Sequence, residues 1–384
     1  MQWLGIILGL GSALGASLAY LCSRRYAVRA AAEEAHQPAW RPPLRLLVTA
    51  HVWLGLVCAI ALPVLLLVTT PTLANVAYAA AMSAGVAFFY LIGNVFLFAS
   101  LRLTDASRIA PLLGLKVVLL ALCVELFAGE DFSRYQWLAV ILASGAAVML
   151  GTSGKRLPLK TFAMVLGTCM GFVLSDLFIK EMIPAWLSTE IALKDASSSQ
   201  RITAAMTGMA LAYVWCGGVA IAMLPIVLRG VYRGVGSAPS PSQGEGWGGG
   251  RGLDPQQPTG QDTVLDPPPS PLPPSREGEP DGVPPQGVPA GFLQALWHSL
   301  PGGVPYAAAW FFSMVCLFSC FSLVGIVYGG ILQSTRGLIS IALGTAIATL
   351  GHHHLETHAP WPVVVKRLIA AAAMTAAIAL YTMG

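Results

Sequence analysis

The chain has 384 residues, of which 55% are hydrophobic and only 10% charged, with a formal net charge of +4. Globular soluble domains carry roughly 25% charged residues, so this composition excludes an ordinary soluble fold and makes lipid the solvent for most of the chain. No nucleic-acid partner and no cofactor are expected from it.

A spanning helix needs about 20 mainly apolar residues to cross a hydrocarbon core of roughly 30 Å. In chain order the runs that meet this are 2–22, 46–68, 74–101, 106–128, 135–152, 161–179, 203–228, 303–328, 332–351 and 362–383, numbered here as spans 1 to 10. Ten-residue stretches of alternating apolar and polar residues, the mark of a membrane barrel, are missing. The expected fold class is therefore all-α, a polytopic bundle of about ten transmembrane helices.

Span 1 is followed, not preceded, by the positive charges Arg24, Arg25 and Arg29, so it reads as a retained helix rather than a cleaved leader. Its Gly5, Gly9, Gly11 and Gly15 give small-xxx-small spacings that permit close packing, against the rest of the chain or against a second copy in a homodimer. The seven cysteines all fall in or at the ends of apolar runs with no CxxC pair, which marks them as small core residues rather than a disulfide framework or a thiolate metal site.

Span 3 holds Tyr90 and Asn94, four apart and on one helix face, able either to line a polar cavity or to bond a neighbouring helix. At the start of span 4, Arg108 follows Asp105 by three residues, a spacing that lets the two pair locally at the interface. Lys116 stands near the midpoint of that span, where a charge is costly, and Glu125 is nine positions on, nearly on the opposite helix face. Two readings follow for Lys116. It bonds a carboxylate or carbonyl of another helix, or it lines a central cavity, binding an anionic substrate group or taking part in proton coupling.

In span 6, Asp176 and Lys180 have i, i+4 spacing and are expected to pair with each other at the interface. Residues 234–290, rich in Pro, Gly and Ser, have no hydrophobic period and read as a disordered spacer between spans 7 and 8. Ser322 in span 8 lies in the run FSCFS, and Arg336 in span 9 has no acidic residue within ten positions. The cluster His352, His353, His354, Glu356 and His358 suggests a metal only weakly, since Pro360 and Pro362 follow it and no helical ligand face is secured.

Lys and Arg concentrate in the connections after spans 1, 3, 5 and 7 and at Lys366 and Arg367. Under the positive-inside rule these connections face the cytoplasm and both termini face outward. GTSG at 151–154 has the look of an intramembrane protease serine motif, but Ser153 sits beside Lys155 and Arg156 at the end of span 5, where such chemistry has no buried site.

Residues 100–151 and 328–381 share a pattern: a small-residue turn with an arginine, a long apolar run, a short acidic connection and a final run rich in small residues. Arg108 falls on Arg336, Glu130 on Glu356 and Lys116 on Gly344. A repeat of five spans is odd in number, so its second copy inserts upside down, as in many secondary transporters. Inversion puts Arg108 and Arg336 at opposite mouths, as gating rather than co-binding residues.

The stretches ASLRLTDASRIAPLL, GED at 129–131 followed by QWLAVILASGAAVMLG, and LQSTRGLISIALG with Glu356 resemble the EamA-type branch of the drug/metabolite transporter superfamily. The resemblance spans all ten runs and is strongest over 85–152 and 310–383. It implies an alternating-access carrier of a small metabolite or drug in a bacterial inner membrane, often an exporter and not an enzyme. The chain departs from that family in its outward termini and its long spacer. The implied organisation is a first repeat at 1–152, spans 6 and 7 at 153–233, the spacer at 234–290 and spans 8 to 10 at 291–384. Lys116, Arg336, Arg108, Asn94, Tyr90 and Ser322 are the candidate substrate-binding or gating residues. The alternatives are a membrane-embedded enzyme, which needs catalytic groups converging in one cavity, and a non-transporting membrane partner organised around the spacer.

Overall fold

The computed structural model describes residues 2–33, 41–69, 73–101, 109, 112–151, 158–187, 195–235, 292–349 and 361–384. Among these the fold is all-helical and contains no strand. The helices are α1 (Gln2–Glu33), α2 (Arg41–Thr69), α3 (Leu73–Leu101), α4 (Leu115–Ala128), α5 (Arg134–Gly151), α6 (Leu159–Ala185), α7 (Ser198–Val235), α8 (Phe292–Val324), α9 (Ile326–Ser334), α10 (Arg336–Thr349) and α11 (Trp361–Met383). Six of them, α1, α2, α3, α6, α7 and α8, are long and apolar enough to cross a membrane, and α5 and α11 contain shorter apolar stretches. By length and composition the chain is a multi-pass helical membrane protein. Large apolar side chains such as Ile60, Val64 and Leu67 on α2 point away from the protein, as a lipid-facing surface requires.

Local signals fix several helix ends. At the start of α5, Ser133 Oγ accepts from the Gln136 N–H at 3.2 Å while Gln136 Oε1 accepts from the Ser133 N–H at 2.9 Å, a reciprocal capping box. Ser197 and Gln200 repeat it before α7, at 3.3 and 2.8 Å. Gly129 ends α4 in the left-handed region at φ 63°, which a residue without Cβ adopts at no steric cost.

Three predicted spans are interrupted. Span 4 reads as a continuous run from 106, yet a turn at Leu113 and Gly114 separates α4, which begins at Leu115, from the helical residues Ile109 and Leu112. The amides of Lys116 and Val117 donate to the carbonyls of Leu113 and Gly114, each at 3.1 Å, the tight i to i+3 pattern of a 3₁₀ turn. Lys116 therefore lies in the first turn of α4 rather than at the middle of a long helix. Spans 8 and 9 divide differently as well. Gly325, at φ 82°, ends α8, and Thr335 separates α9 from α10. The Ser334 and Thr335 hydroxyls donate to the carbonyls three residues back, at 2.6 and 2.7 Å, competing with the regular ladder at the break. Hydropathy misses these interruptions because the turn residues are themselves apolar or small.

Packing follows a simple scheme: α1 lies mainly against α8, α2 against α7, α3 against α6 and α5 against α11. Glycine makes the closest approaches. A Cβ at Gly55 would stand 2.7 Å from the Gly217 Cα, and one at Gly171 would stand 2.7 Å from the Gly93 Cα, so α2/α7 and α3/α6 each cross backbone to backbone. The glycine stripe of α1 is used inside the chain: Gly5 faces Val324, Gly9 Leu332, Gly11 Cys316 and Gly15 the Ser313 backbone. None of the seven cysteines forms a disulfide among the described residues, and all are buried or half-buried.

Candidate functional site

The interrupted spans 4 and 9 bring their charges to one cavity. Lys116, in the first turn of α4, and Arg336, the first residue of α10, line it together with Asp176 and Ser175 of α6 and Gln333 of α9. All three charged residues are nearly inaccessible, at 6% for Lys116, 3% for Asp176 and 5% for Arg336, so each depends on its neighbours rather than on bulk water.

Lys116 Nζ meets Asp176 Oδ2 at 2.6 Å, linking α4 to α6. Lys116 Nζ also stands 5.7 Å from the centre of the Phe172 ring, a distance at which the ring face attracts a cation. The expected Asp176–Lys180 pair is not formed. Lys180 instead reaches Glu130 Oε1 at 2.6 Å, and Asp176 turns inward to Lys116. The i, i+4 spacing permitted the local pair, but a buried ammonium has far more need of a carboxylate than an interfacial one.

Arg336 lines the same cavity as Lys116, at the start of α10 after the turn at Thr335. Among the described residues its guanidinium has neither an ion pair nor a hydrogen bond. Only its backbone carbonyl is engaged, accepting from Ser17 Oγ at 3.0 Å. Arg108 lies outside the described residues, as do Asp105, Ser153, the His352–His358 cluster and nearly all of the spacer.

The remaining wall is aromatic. Tyr90 of α3 packs on Phe172 with ring centres 6.0 Å apart, and it also meets Tyr213 of α7 at 6.2 Å and Trp310 of α8 at 6.4 Å. Trp310 Nε1–H donates to Tyr213 Oη at 3.2 Å. Behind this wall, His51 of α2 is fully buried. Its Nδ1 lies 2.7 Å from the Leu47 carbonyl, which can only accept, so Nδ1 carries a proton and donates. With the ring neutral, Nε2 is left to accept from Tyr90 Oη at 3.3 Å. This chain of contacts fixes the tyrosine ring that faces the cavity.

Of the six candidates, the structure thus brings Lys116, Arg336 and Tyr90 together. Asn94 and Ser322 are buried without lining the cavity, Asn94 Nδ2 donating to the Tyr90 carbonyl at 2.9 Å and Ser322 Oγ to the Ser319 carbonyl at 2.8 Å. The sequence reading passed over the inward role of Asp176, and it missed His51, Tyr213, Trp310 and Gln333. A signal existed for two of these: Asp176 and His51 are ionisable residues inside apolar runs, where each is costly.

No family model and no curated protein matches the chain. Among solved structures, one described only as "Crystal structure of protein" aligns over 97% of this chain and 98% of its own length, at 12% identity and a TM-score of 0.45. That likeness is too loose to define the fold or the function.

Proposed function

We propose that the chain is a secondary transporter of the drug/metabolite type, ten spans arranged as two inverted five-span repeats, which moves a small metabolite across a bacterial inner membrane by alternating access. The observation that carries this reading is the cavity: three buried charges and an aromatic wall, enclosed between helices of both halves of an otherwise apolar bundle. Charges are retained at such depth where they meet a substrate or an ion.

Helix pairing supports the repeat. Counting α9 and α10 as one span, exchange of each span with the one five places on turns the α1/α8 contact into the α6/α3 contact, and leaves α2/α7 and α5/α11 unchanged. Pseudo-symmetry of this kind lets two halves swap conformations and so swap the open side. The interruptions in spans 4 and 9 fit as well, since discontinuous helices commonly build transporter binding sites at the repeat interface.

Alternating access has a direct test. In a variant whose native cysteines are replaced by alanine, Ser175→Cys is expected to react with a membrane-impermeant thiol reagent from either side of oriented vesicles. Labelling from one side alone would favour a membrane-embedded enzyme or a static partner protein. Replacing residues 234–290 with a short Gly/Ser loop is expected to leave two-sided labelling intact, and loss of it at normal membrane levels would point to the partner-protein reading. Reporter fusions at Gly384 and near Gly248 are expected to report an outward C-terminus and a cytoplasmic spacer.

A further inference from the structure

The charges that line the cavity do not balance. Lys116 and Asp176 are paired at 2.6 Å, so the described charges that line the cavity sum to one positive charge, and Arg336, 5% exposed, feels only the shared Asp176 and has no described ion pair or hydrogen bond of its own. A buried guanidinium is costly to desolvate and cannot escape by losing its proton. Its position gives no relief. Arg336 opens α10 and Lys116 lies in the first turn of α4, so neither cation gains the stabilisation that a helix C-terminus would give it. A negative group beside Arg336 offsets the cost of burying its charge.

The anion would not be bare. The wall facing these cations is built from Tyr90, Phe172, Tyr213 and Trp310, rigid rings that offer flat apolar area beside the charged end. We infer that the cavity binds a small organic monoanion: a carboxylate held by the Arg336 guanidinium, attached to a planar apolar body that stacks in the aromatic wall. One net positive charge matches one carboxylate. The planar fork of arginine suits that group because it can donate two parallel N–H bonds to it. Ser175 and Gln333 lie within the same lining and add neutral hydrogen-bonding capacity for a polar substituent on the ring.

This inference rests on the transporter reading only for its purpose, not for its test, because binding is measurable without flux. Purified full-length protein in detergent micelles is titrated with phenylacetate, phenylacetamide, phenethylamine and acetate, following tryptophan fluorescence and thermal stability. Phenylacetate is expected to bind at least about ten-fold more tightly than its neutral amide or than acetate, and phenethylamine is expected not to bind. Arg336→Gln is expected to remove the preference of phenylacetate over phenylacetamide, and Arg336→Lys to retain part of it. Equal binding of acid and amide, tighter binding of the amine, or no binding of any probe would overturn the inference. The wild-type comparison decides it even where Arg336→Gln fails to fold. Binding of phenylacetate without two-sided labelling of Ser175→Cys would keep the ligand class and remove the carrier. Two-sided labelling without binding would do the reverse.

Discussion

Two ion pairs join the first half of the chain to α6, and they have the same length. Lys116–Asp176 and Glu130–Lys180 both measure 2.6 Å, and their α6 members are one helical turn apart. Their surroundings differ. The side chains of the first pair are 8% and 5% exposed, those of the second 51% for Glu130 and 25% for Lys180. Distance alone would rate them equal. The inner pair holds two charges that have no water to fall back on, so loss of either partner strands the other. The outer pair competes with solvent and is worth little. Burial, rather than contact length, separates a site from an interfacial anchor.

The largest effect expected from this contrast is at the inner pair. Lys116→Met should cost up to about 3–5 kcal/mol of stability, since it removes the counter-charge in contact with Asp176 and leaves only the more distant Arg336. The double variant Lys116→Met, Asp176→Leu should recover most of that loss in a thermal-unfolding series in detergent while remaining inactive in a flux assay. Recovery of activity in the double variant would mean that the pair serves packing alone.

A middle case checks that the loss comes from charge and not from any disturbance between helices. Gly55→Ala would put a Cβ 2.7 Å from the Gly217 Cα and 3.0 Å from the Tyr213 carbonyl, with backbone on both sides and no flexible side chain to move. It is expected to cost about 1–3 kcal/mol by overpacking, measured in the same unfolding series. Unlike the inner pair, it has no compensating charge partner. Adding Asp176→Leu to Gly55→Ala should therefore not rescue it.

The smallest effect belongs to the outer pair. Lys180→Met is expected to change stability by less than about 1 kcal/mol and to leave flux unaltered. A loss as large as that of Lys116→Met would break the contrast, and would imply that Glu130 and Lys180 are shielded in the working protein.

Much of the architecture was legible in the residues, because lipid leaves the backbone few options. A chain with long apolar runs and few charges must satisfy its amides internally, so an all-helical fold with several membrane-length helices follows from composition and run length. The weight of Lys116 was readable for the same reason, as a lone cation in an apolar run. Its partner was not. Asp176 has a lysine four residues on, and local spacing favours that nearest cation, whereas the fold carries Asp176 inward to a lysine sixty positions away. That Arg336 shares a cavity with Lys116 was not readable either, because the turn at Thr335 that starts α10 beside the cavity leaves no mark in the hydropathy.

Sequence by itself determined what is short-range or compositional: the helical class, the capping boxes at Ser133 and Ser197, the burial of the cysteines and the rarity of charge within the bundle. Tertiary structure alone decided which of those rare charges meet. Pairing across α4 and α6, the aromatic wall drawn from α3, α6, α7 and α8, and the place of Arg336 in the same cavity all depend on helices distant in the chain coming together. Hydropathy is summed along the chain, and a buried charge is balanced across it.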